Sequence, residues 1–273
     1  MQALSHHLRQ RGNRLCLGLD LDPRRIPARY LALPDPLLAL GRDLVDATAD
    51  LVAAFKPNAA FFEQEGARGW QALAGLTAHI GGRAFVIVDA KRGDIGNTSA
   101  RYARALFEGL GAHAVTLAPY MGRDSLEPFL AGRESVDALA PGMGAFVLAL
   151  TSNPGAADFQ LLEAEGRPLY RHVLEKLATW NAGWAAGRLG AVVGATRPED
   201  LAAVRRDFPD LPLLVPGVGA QGGDLEAVQE ALALGRGPAL VNVSRDLLYG
   251  RDECAEPASV RRRTLEYSQR LAC

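Results

Sequence analysis

The chain has 273 residues, 48% apolar and 22% charged, with a formal net charge of −1. This is the composition of a soluble globular protein with a sizeable core, and its charge balance suggests neither a nucleic-acid nor a membrane surface. The three cysteines, Cys16, Cys254 and Cys273, are too few and too scattered for a disulfide framework or a zinc knuckle.

Met1–Gln10 reads as a helix ahead of the first strand. The polar stretch Met1 to Arg14 lacks the apolar core of a signal peptide, and no run of about 18 apolar residues is present to span a bilayer. The expected compartment is the cytoplasm. Short apolar runs then recur at Leu15–Leu19, Leu51–Phe55, Ala84–Val88, Ala114–Ala118, Ala145–Leu150, Ala191–Gly194, Leu211–Val215 and Ala239–Val243. Continuous apolar runs of this length suit strands buried on both faces of a parallel sheet. Segments with helical spacing lie between them: Leu37, Leu40, Leu44 and Val45 in one, and Leu201, Val204 and Phe208 in another. The second is entered through Thr196 and Pro198 as cap and first turn. Eight strands alternating with helices indicate an α/β fold of the (β/α)8 or TIM-barrel type, and such barrels commonly run to about 250 residues as one domain. A doubly wound open sheet is the rival, but the Gly-rich turn of a dinucleotide fold is missing after the first strand. The segment 153–186 exceeds a simple βα unit and is expected to add a helical turn or a longer loop. No linker or repeat divides the chain, which is read as a single domain with an extra N-terminal helix.

Functional residues of such barrels sit at the C-terminal ends of the strands. Here those ends carry Asp20, Lys56, Asp89 with Lys91, Thr151 with Ser152, Pro216 to Gln221, and Ser244 with Arg245. Of the 30 basic residues only Lys56, Lys91 and Lys176 are lysine. Lysine exchanges a proton where arginine does not, so two lysines in this ring are suggestive. In extended backbone Asp89 and Lys91 face the same side. Asp94 follows Gly93, where the strand should have broken, and is free to point elsewhere. A solvated patch of salt bridges on a strand-to-helix loop would show the same spacing. The run Pro216-Gly-Val-Gly219-Ala-Gln221-Gly-Gly, with Ser244-Arg245 one strand later, reads as an anion site. Glycines let backbone N–H groups approach a phosphate, the following helix offers its positive end, and Arg245 adds a planar fork. A plain structural turn remains the alternative. The five histidines show no metal-ligand spacing, and no cofactor or metal is expected.

In order and spacing, Leu17-Gly-Leu-Asp20, Phe55-Lys56-Pro-Asn, Asp89-Ala-Lys91-Arg-Gly-Asp94-Ile-Gly-Asn-Thr98, Thr151-Ser152-Asn-Pro-Gly, Pro216-Gly-Val-Gly-Ala-Gln221-Gly-Gly and Ser244-Arg245 resemble the orotidine 5′-phosphate decarboxylase family over nearly the whole chain. The form Lys56-Pro-Asn-Ala-Ala-Phe-Phe-Glu63 is similar to its larger bacterial branch. The resemblance implies decarboxylation of orotidine 5′-monophosphate to UMP. Lys56, Asp89, Lys91 and Asp94 would form the charged network, Lys91 would protonate C6 of the pyrimidine, and Asp89 would lie against the substrate carboxylate. Asp20 and Lys56 would hold the ribose, Ser152 the pyrimidine amide edge, and Gln221, Arg245 and the nearby backbone the phosphate, with Pro216 beside the base and Ser244 among the substrate-binding residues. Asp94 and Thr98 would reach into the neighbouring subunit of a homodimer. Two other readings stand beside this one: a magnesium-dependent sugar-phosphate decarboxylase or aldolase of the same barrel superfamily, and a non-catalytic phosphate-binding barrel. Lys56 argues against the first, because a cation repels a divalent ion. The complete charged set argues against the second.

Overall fold

The computed structural model describes residues 1–130, 143–219, 222–252 and 254–273. Ten strands are numbered here in chain order. β1 is Leu15–Leu19, β2 Ala54–Pro57, β3 Phe85–Arg92, β4 Ala114–Leu117 and β5 Gly144–Leu150. β6 is Glu163–Ala164, β7 Arg167–Pro168, β8 Leu189–Val193, β9 Leu213–Pro216 and β10 Ala239–Val243. Eight of them close into a barrel in the order β1-β10-β9-β8-β5-β4-β3-β2, while β6 and β7 form a separate two-stranded sheet. Every barrel pairing is parallel, including the closing one, where Leu15 to Leu17 register with Val241 to Val243. The expected barrel is therefore present and the open sheet is not.

The barrel strands bury both faces, and the two faces do different work. Leu15, Leu17 and Leu19 belong to the large apolar layer between the strands and the surrounding helices. The alternate set, with Cys16, Ala54, Phe85, Ile87, Ala114, Phe146, Val192, Leu214 and Leu240, makes a second cluster with Met1, Leu4 and Leu8. The helix Gln2–Arg11 thus closes the N-terminal end of the barrel, with Leu4 wholly buried. This confirms the helix read at Met1–Gln10. Farther along, the inward series turns polar: Cys16 gives way to Asp20, Ala54 to Lys56, Ile87 to Asp89, Ala114 to Thr116 and Leu240 to Asn242, and each of these polar residues faces one cavity. A side-chain period of two accounts for the pattern.

Several boundaries differ from the sequence reading: β3 runs on past Val88 to Arg92, and β8 begins at Leu189 rather than Ala191. The second strand is Ala54–Pro57 rather than Leu51–Phe55, because Val52 and Ala53, although fully buried, pack in the turn that leads into it. Lys56 consequently lies within the strand and inside the barrel wall. The seventh barrel strand starts at Leu213 rather than Leu211. Helix Pro198–Asp207 has Arg197 at its N-cap and no side-chain cap, while Thr196 instead donates to the Ser152 carbonyl at 3.5 Å. The long segment after β5 holds a short helix Ala156–Phe159, the β6–β7 hairpin and the helix Leu169–Ala182, in line with its length.

One buried cation is structural. Arg205 is 1% exposed and donates to the carbonyls of Leu211 at 2.8 Å and Gly237 at 2.6 Å. It ties the approaches to β9 and β10 together, and those two strands carry the glycine-rich loop and Ser244-Arg245. Burial, reinforced by the charge of Arg14, pushes its pKa down to about 10, which leaves it charged at neutral pH. Arg205→Ala is expected to destabilise the protein by about 3 kcal/mol, since two buried carbonyls lose a charged donor. A urea midpoint within error of wild type would show that water replaces the guanidinium at no penalty.

Candidate active site

At the C-terminal ends of the strands lies a cavity of about 320 Å³. Asp20, Lys56, Asp89, Lys91, Ser152, Pro216, Ser244 and Arg245 all line it. Seven lining residues were not anticipated as site residues: Asn58, Thr116, Asn153 and Asn242, with Leu148, Val192 and Leu214 on the apolar wall. Asp94 and Thr98 are not among its lining residues. Asp94 instead accepts from the Ile95 amide at 2.7 Å, and its carbonyl accepts from the Ser99 hydroxyl at 2.8 Å. Gln221 lies outside the described residues.

The cavity's charged centre is a single carboxylate held from three sides. Lys56 Nζ donates to Asp89 Oδ2 at 2.6 Å, and Lys91 Nζ donates to Asp89 Oδ1 at 2.6 Å. The Thr116 hydroxyl also donates to Oδ1, at 2.8 Å. Burial alone would raise the carboxyl of Asp89, but the charges of Lys56 and then Lys91 outweigh it and hold the group below the usual carboxylate range. For Lys56, burial works to lower the pKa, yet the charges of Asp89 and Asp20 raise it above an ordinary lysine. Both groups are thus ionised at neutral pH. Lys56 and Asp89 are 4% and 10% exposed, whereas Lys91 is 49% exposed and reaches into the cavity's open part.

Asp89 and Lys91 do share the cavity, but not through extended alternation. The register of β3 against β4 shifts between Val88 and Arg92, and Lys91 takes a positive φ of 48°. A left-handed conformation at a non-glycine residue costs of order 1–3 kcal/mol unless its surroundings impose it. Here the Lys91 amide donates to Thr116 Oγ1 at 2.9 Å. A bulge therefore aims the ammonium group, a feature that spacing alone does not reveal.

On the opposite wall the glycine-rich loop after β9 bends through positive φ at Gly217, Gly219 and Gly222. Close packing explains one glycine of β1: a Cβ on Gly18 would stand 1.8 Å from Ser244 Oγ. Arg245 is exposed at the mouth. The next helix, Leu225–Ala233, does not present a free positive end as expected, since the carboxylate of Asp224 already accepts from the Glu226 amide. Two buried acceptors in the cavity, Asp20 Oδ1 and Asn242 Oδ1, have no hydrogen-bond partner among the described residues. Each is an acceptor that a bound molecule or an ordered water can use. Among the described residues no three His, Cys, Asp or Glu side chains are grouped so that they could hold a metal ion.

The family model described as "Orotidine 5'-phosphate decarboxylase / HUMPS family" matches residues 13–257. The chain belongs to this family. A relative from Roseiflexus castenholzii named orotidine 5′-phosphate decarboxylase is 50% identical over 240 residues, covering 87% of this chain and 84% of its own. Another from Flavobacterium johnsoniae, with the same name, is 43% identical over 274 residues, covering 99% and 96%. The solved OMP decarboxylase of Leishmania donovani superposes with a TM-score of 0.79 at 37% identity, covering 99% of both chains. Both of these relatives carry the decarboxylase name. No helix among the described residues is long and apolar enough to cross a membrane.

The Lys56–Asp89 pair sets a signed pH dependence. The contribution from Asp89, whose folded pKa is depressed, is present above the unfolded value near 4 and is lost as pH falls through the folded one. That from Lys56, whose folded pKa is raised, is present below about 10.4 and is lost as pH rises past the folded value. Asp89→Asn should lower stability at pH 7 by about 3–5 kcal/mol, because it leaves a buried ammonium without its main counter-charge. The gap from wild type should narrow below about pH 4. Urea midpoints of both proteins across pH measure this, and a gap that widens with acidification would contradict the assignment.

Proposed function

We propose that this cavity converts orotidine 5′-monophosphate to UMP and carbon dioxide, a step of pyrimidine biosynthesis, with Lys91 returning a proton to C6 of the base. The bond between C6 and the carboxylate carbon breaks, its electron pair stays on C6, and carbon dioxide leaves. The Lys91 ammonium then gives its proton to C6, and a proton from solvent restores the ammonium. No metal or organic cofactor enters this scheme. The negative charge that develops at C6 faces a fixed cation in a site walled by Leu148, Val192 and Leu214, where preorganised charge acts more strongly than in water. The observation that carries the reading is the Lys56–Asp89–Lys91 array, closed by two contacts of 2.6 Å inside one cavity.

The remaining roles are carried over from the family resemblance. Asp89 lies against the departing carboxylate. Asp20, with its unsatisfied Oδ1, and Lys56 receive the ribose hydroxyls. Ser152 meets the amide edge of the pyrimidine and Pro216 lies beside the ring. Arg245 and Gln221, with the nearby backbone, take the phosphate, whose binding energy is then available to the reacting ring, and Ser244 is among the substrate-binding residues. Asp94 and Thr98 complete the site of a second copy in a homodimer. Their absence from their own cavity supports this, as does an apolar surface beside them: Ile95, Tyr120 and Met121 are 56%, 91% and 46% exposed, and Gly93 lies against Ala118. The whole chain, 1–273, acts as one domain, and its small nucleotide substrate suits an enzyme of the cytoplasm that needs no nucleic-acid or membrane partner. A magnesium-dependent sugar-phosphate reaction has less support, since Lys56 occupies the cavity wall where a divalent cation would need a carboxylate.

The deciding experiment follows the orotate chromophore by ultraviolet absorbance, with and without excess EDTA. Loss of the chromophore at the same rate in both supports the scheme. No turnover, followed by activity on a sugar phosphate with magnesium, would replace it. Lys91→Ala should lower kcat by roughly 10⁴-fold or more while the far-ultraviolet dichroism stays that of the folded wild type; retained turnover would remove Lys91 from the mechanism. Arg245→Ala should raise KM about 10- to 100-fold, the loss of a charged hydrogen bond to phosphate. An unchanged KM would move the phosphate elsewhere.

A further inference from the structure

Thr116 is a polar residue in the otherwise apolar strand β4, Ala-Val-Thr-Leu, and it is 2% exposed. Its hydroxyl makes two hydrogen bonds with a fixed sense. The Lys91 backbone N–H can only donate, so Oγ1 accepts there, at 2.9 Å. The Asp89 carboxylate is ionised and can only accept, so the hydroxyl donates to Oδ1, at 2.8 Å. That same Oδ1 receives the Lys91 ammonium at 2.6 Å. One hydroxyl thus holds the residue at both its backbone and, through the carboxylate, its side chain.

This contact falls where β3 departs from regular pairing. The ladder to β4 is in register at Val88↔Val115, resumes only at Arg92↔Leu117, and between the two Lys91 has φ 48°. The Thr116 side chain takes the place of the backbone acceptor that a regular ladder would offer to the Lys91 amide. Without the hydroxyl, that amide has no acceptor on β4, and the bulge is free to relax toward the ordinary φ of a lysine. The ammonium would then move relative to the carbon that it must protonate.

We propose that Thr116 is a positioning residue of the reaction: its hydroxyl locks the β3 bulge and thereby sets the place of the Lys91 ammonium and the orientation of Asp89. The proposal rests on the reading of Lys91 as the proton donor. It predicts an effect on the chemical step and little on binding, because the proposed phosphate and ribose contacts come from β1, β2, β9, β10 and the loops that follow them, and only Lys56 among these touches Asp89.

The test compares Thr116→Val, which keeps the shape and removes the hydroxyl, with Thr116→Ser, which keeps the hydroxyl, using orotidine 5′-monophosphate as substrate and UMP as the binding probe. Thr116→Val should lower kcat about 10- to 100-fold, the size of effect that a displacement near 1 Å produces in an oriented reaction, with KM and the Kd for UMP changed less than about 3-fold. Thr116→Ser should restore kcat to within about 3-fold of wild type, which a packing role for the γ-methyl would not do. A Thr116→Val enzyme with wild-type kcat, or equal losses in Val and Ser, would overturn the inference. If Thr116→Val fails to fold, Thr116→Ser decides alone: a large loss of kcat in it refutes the hydroxyl's role, and near-wild-type kcat supports it. Lys91→Ala separates the two ideas. If it is inactive while Thr116→Val is unaffected, the positioning role fails and the proton-donor reading stands; if Lys91→Ala retains turnover, the underlying reading fails.

Discussion

A carboxylate shared by two ammonium groups in a largely buried wall is tolerable only while all three remain charged and close. Asp89 is that carboxylate, and the arrangement of the mouth follows from its needs. Lys56 neutralises it from within β2, Lys91 from beyond a bulge in its own strand, and Thr116 from β4. Removing any one member leaves a partner with incomplete solvation in a medium that screens charge poorly. The array thus stores the electrostatic organisation that the reaction needs before any substrate arrives, and folding, rather than the catalytic step, meets the desolvation penalty.

The barrel makes this bearable by separating labour along its axis. Near the helix Gln2–Arg11 the inward side chains form an apolar cluster that includes Cys16, whose thiol burial pushes up to about 12. Two residues farther along several strands the inward positions become Lys56, Asp89 and Thr116. Five of the eight barrel strands, β1, β2, β3, β4 and β10, present such a change, so different polar groups converge on one cavity. Regularity is broken on β5 between Leu148 and Leu150 and on β3 at Lys91, and at Lys91 the break aims a group that a plain strand would direct differently.

Much of this was legible in the residues. Runs such as Leu15–Leu19 and Ala239–Val243 coincide with their strands because a strand buried on both faces needs apolar residues at every position, which is a signal free of phase. The same insensitivity misplaced the second strand: Val52 and Ala53 are as apolar and as buried as a strand residue, yet they serve a turn. Lys56, Asp89, Lys91, Asp20, Ser152, Pro216, Ser244 and Arg245 were found because strand ends are a predictable place. Thr116 and Asn242 were missed although each interrupts an apolar run, which is the trace such residues leave. The left-handed backbone at Lys91 left no trace, because it arises from a hydrogen bond between strands about 25 residues apart in sequence, and the capped start of Leu225–Ala233 was misread by weighing glycines ahead of Asp224.

The helix Gln2–Arg11 does more than fill the floor of the barrel. The chain's last residues return to it, with the Cys273 amide donating to the Gly12 carbonyl at 2.9 Å and the Arg14 amide donating to the Leu271 carbonyl at 3.0 Å. Both ends of the polypeptide therefore meet at the closed pole, while ligand traffic is confined to the other. The molecule has a polarity like that of a flask, stoppered where the chain begins and finishes and open where the nucleotide enters. An appended segment or a second domain attached at either end would emerge from the stoppered side, a barrel's length away from the opening, so architecture can be added to this protein without obstructing what passes through its mouth.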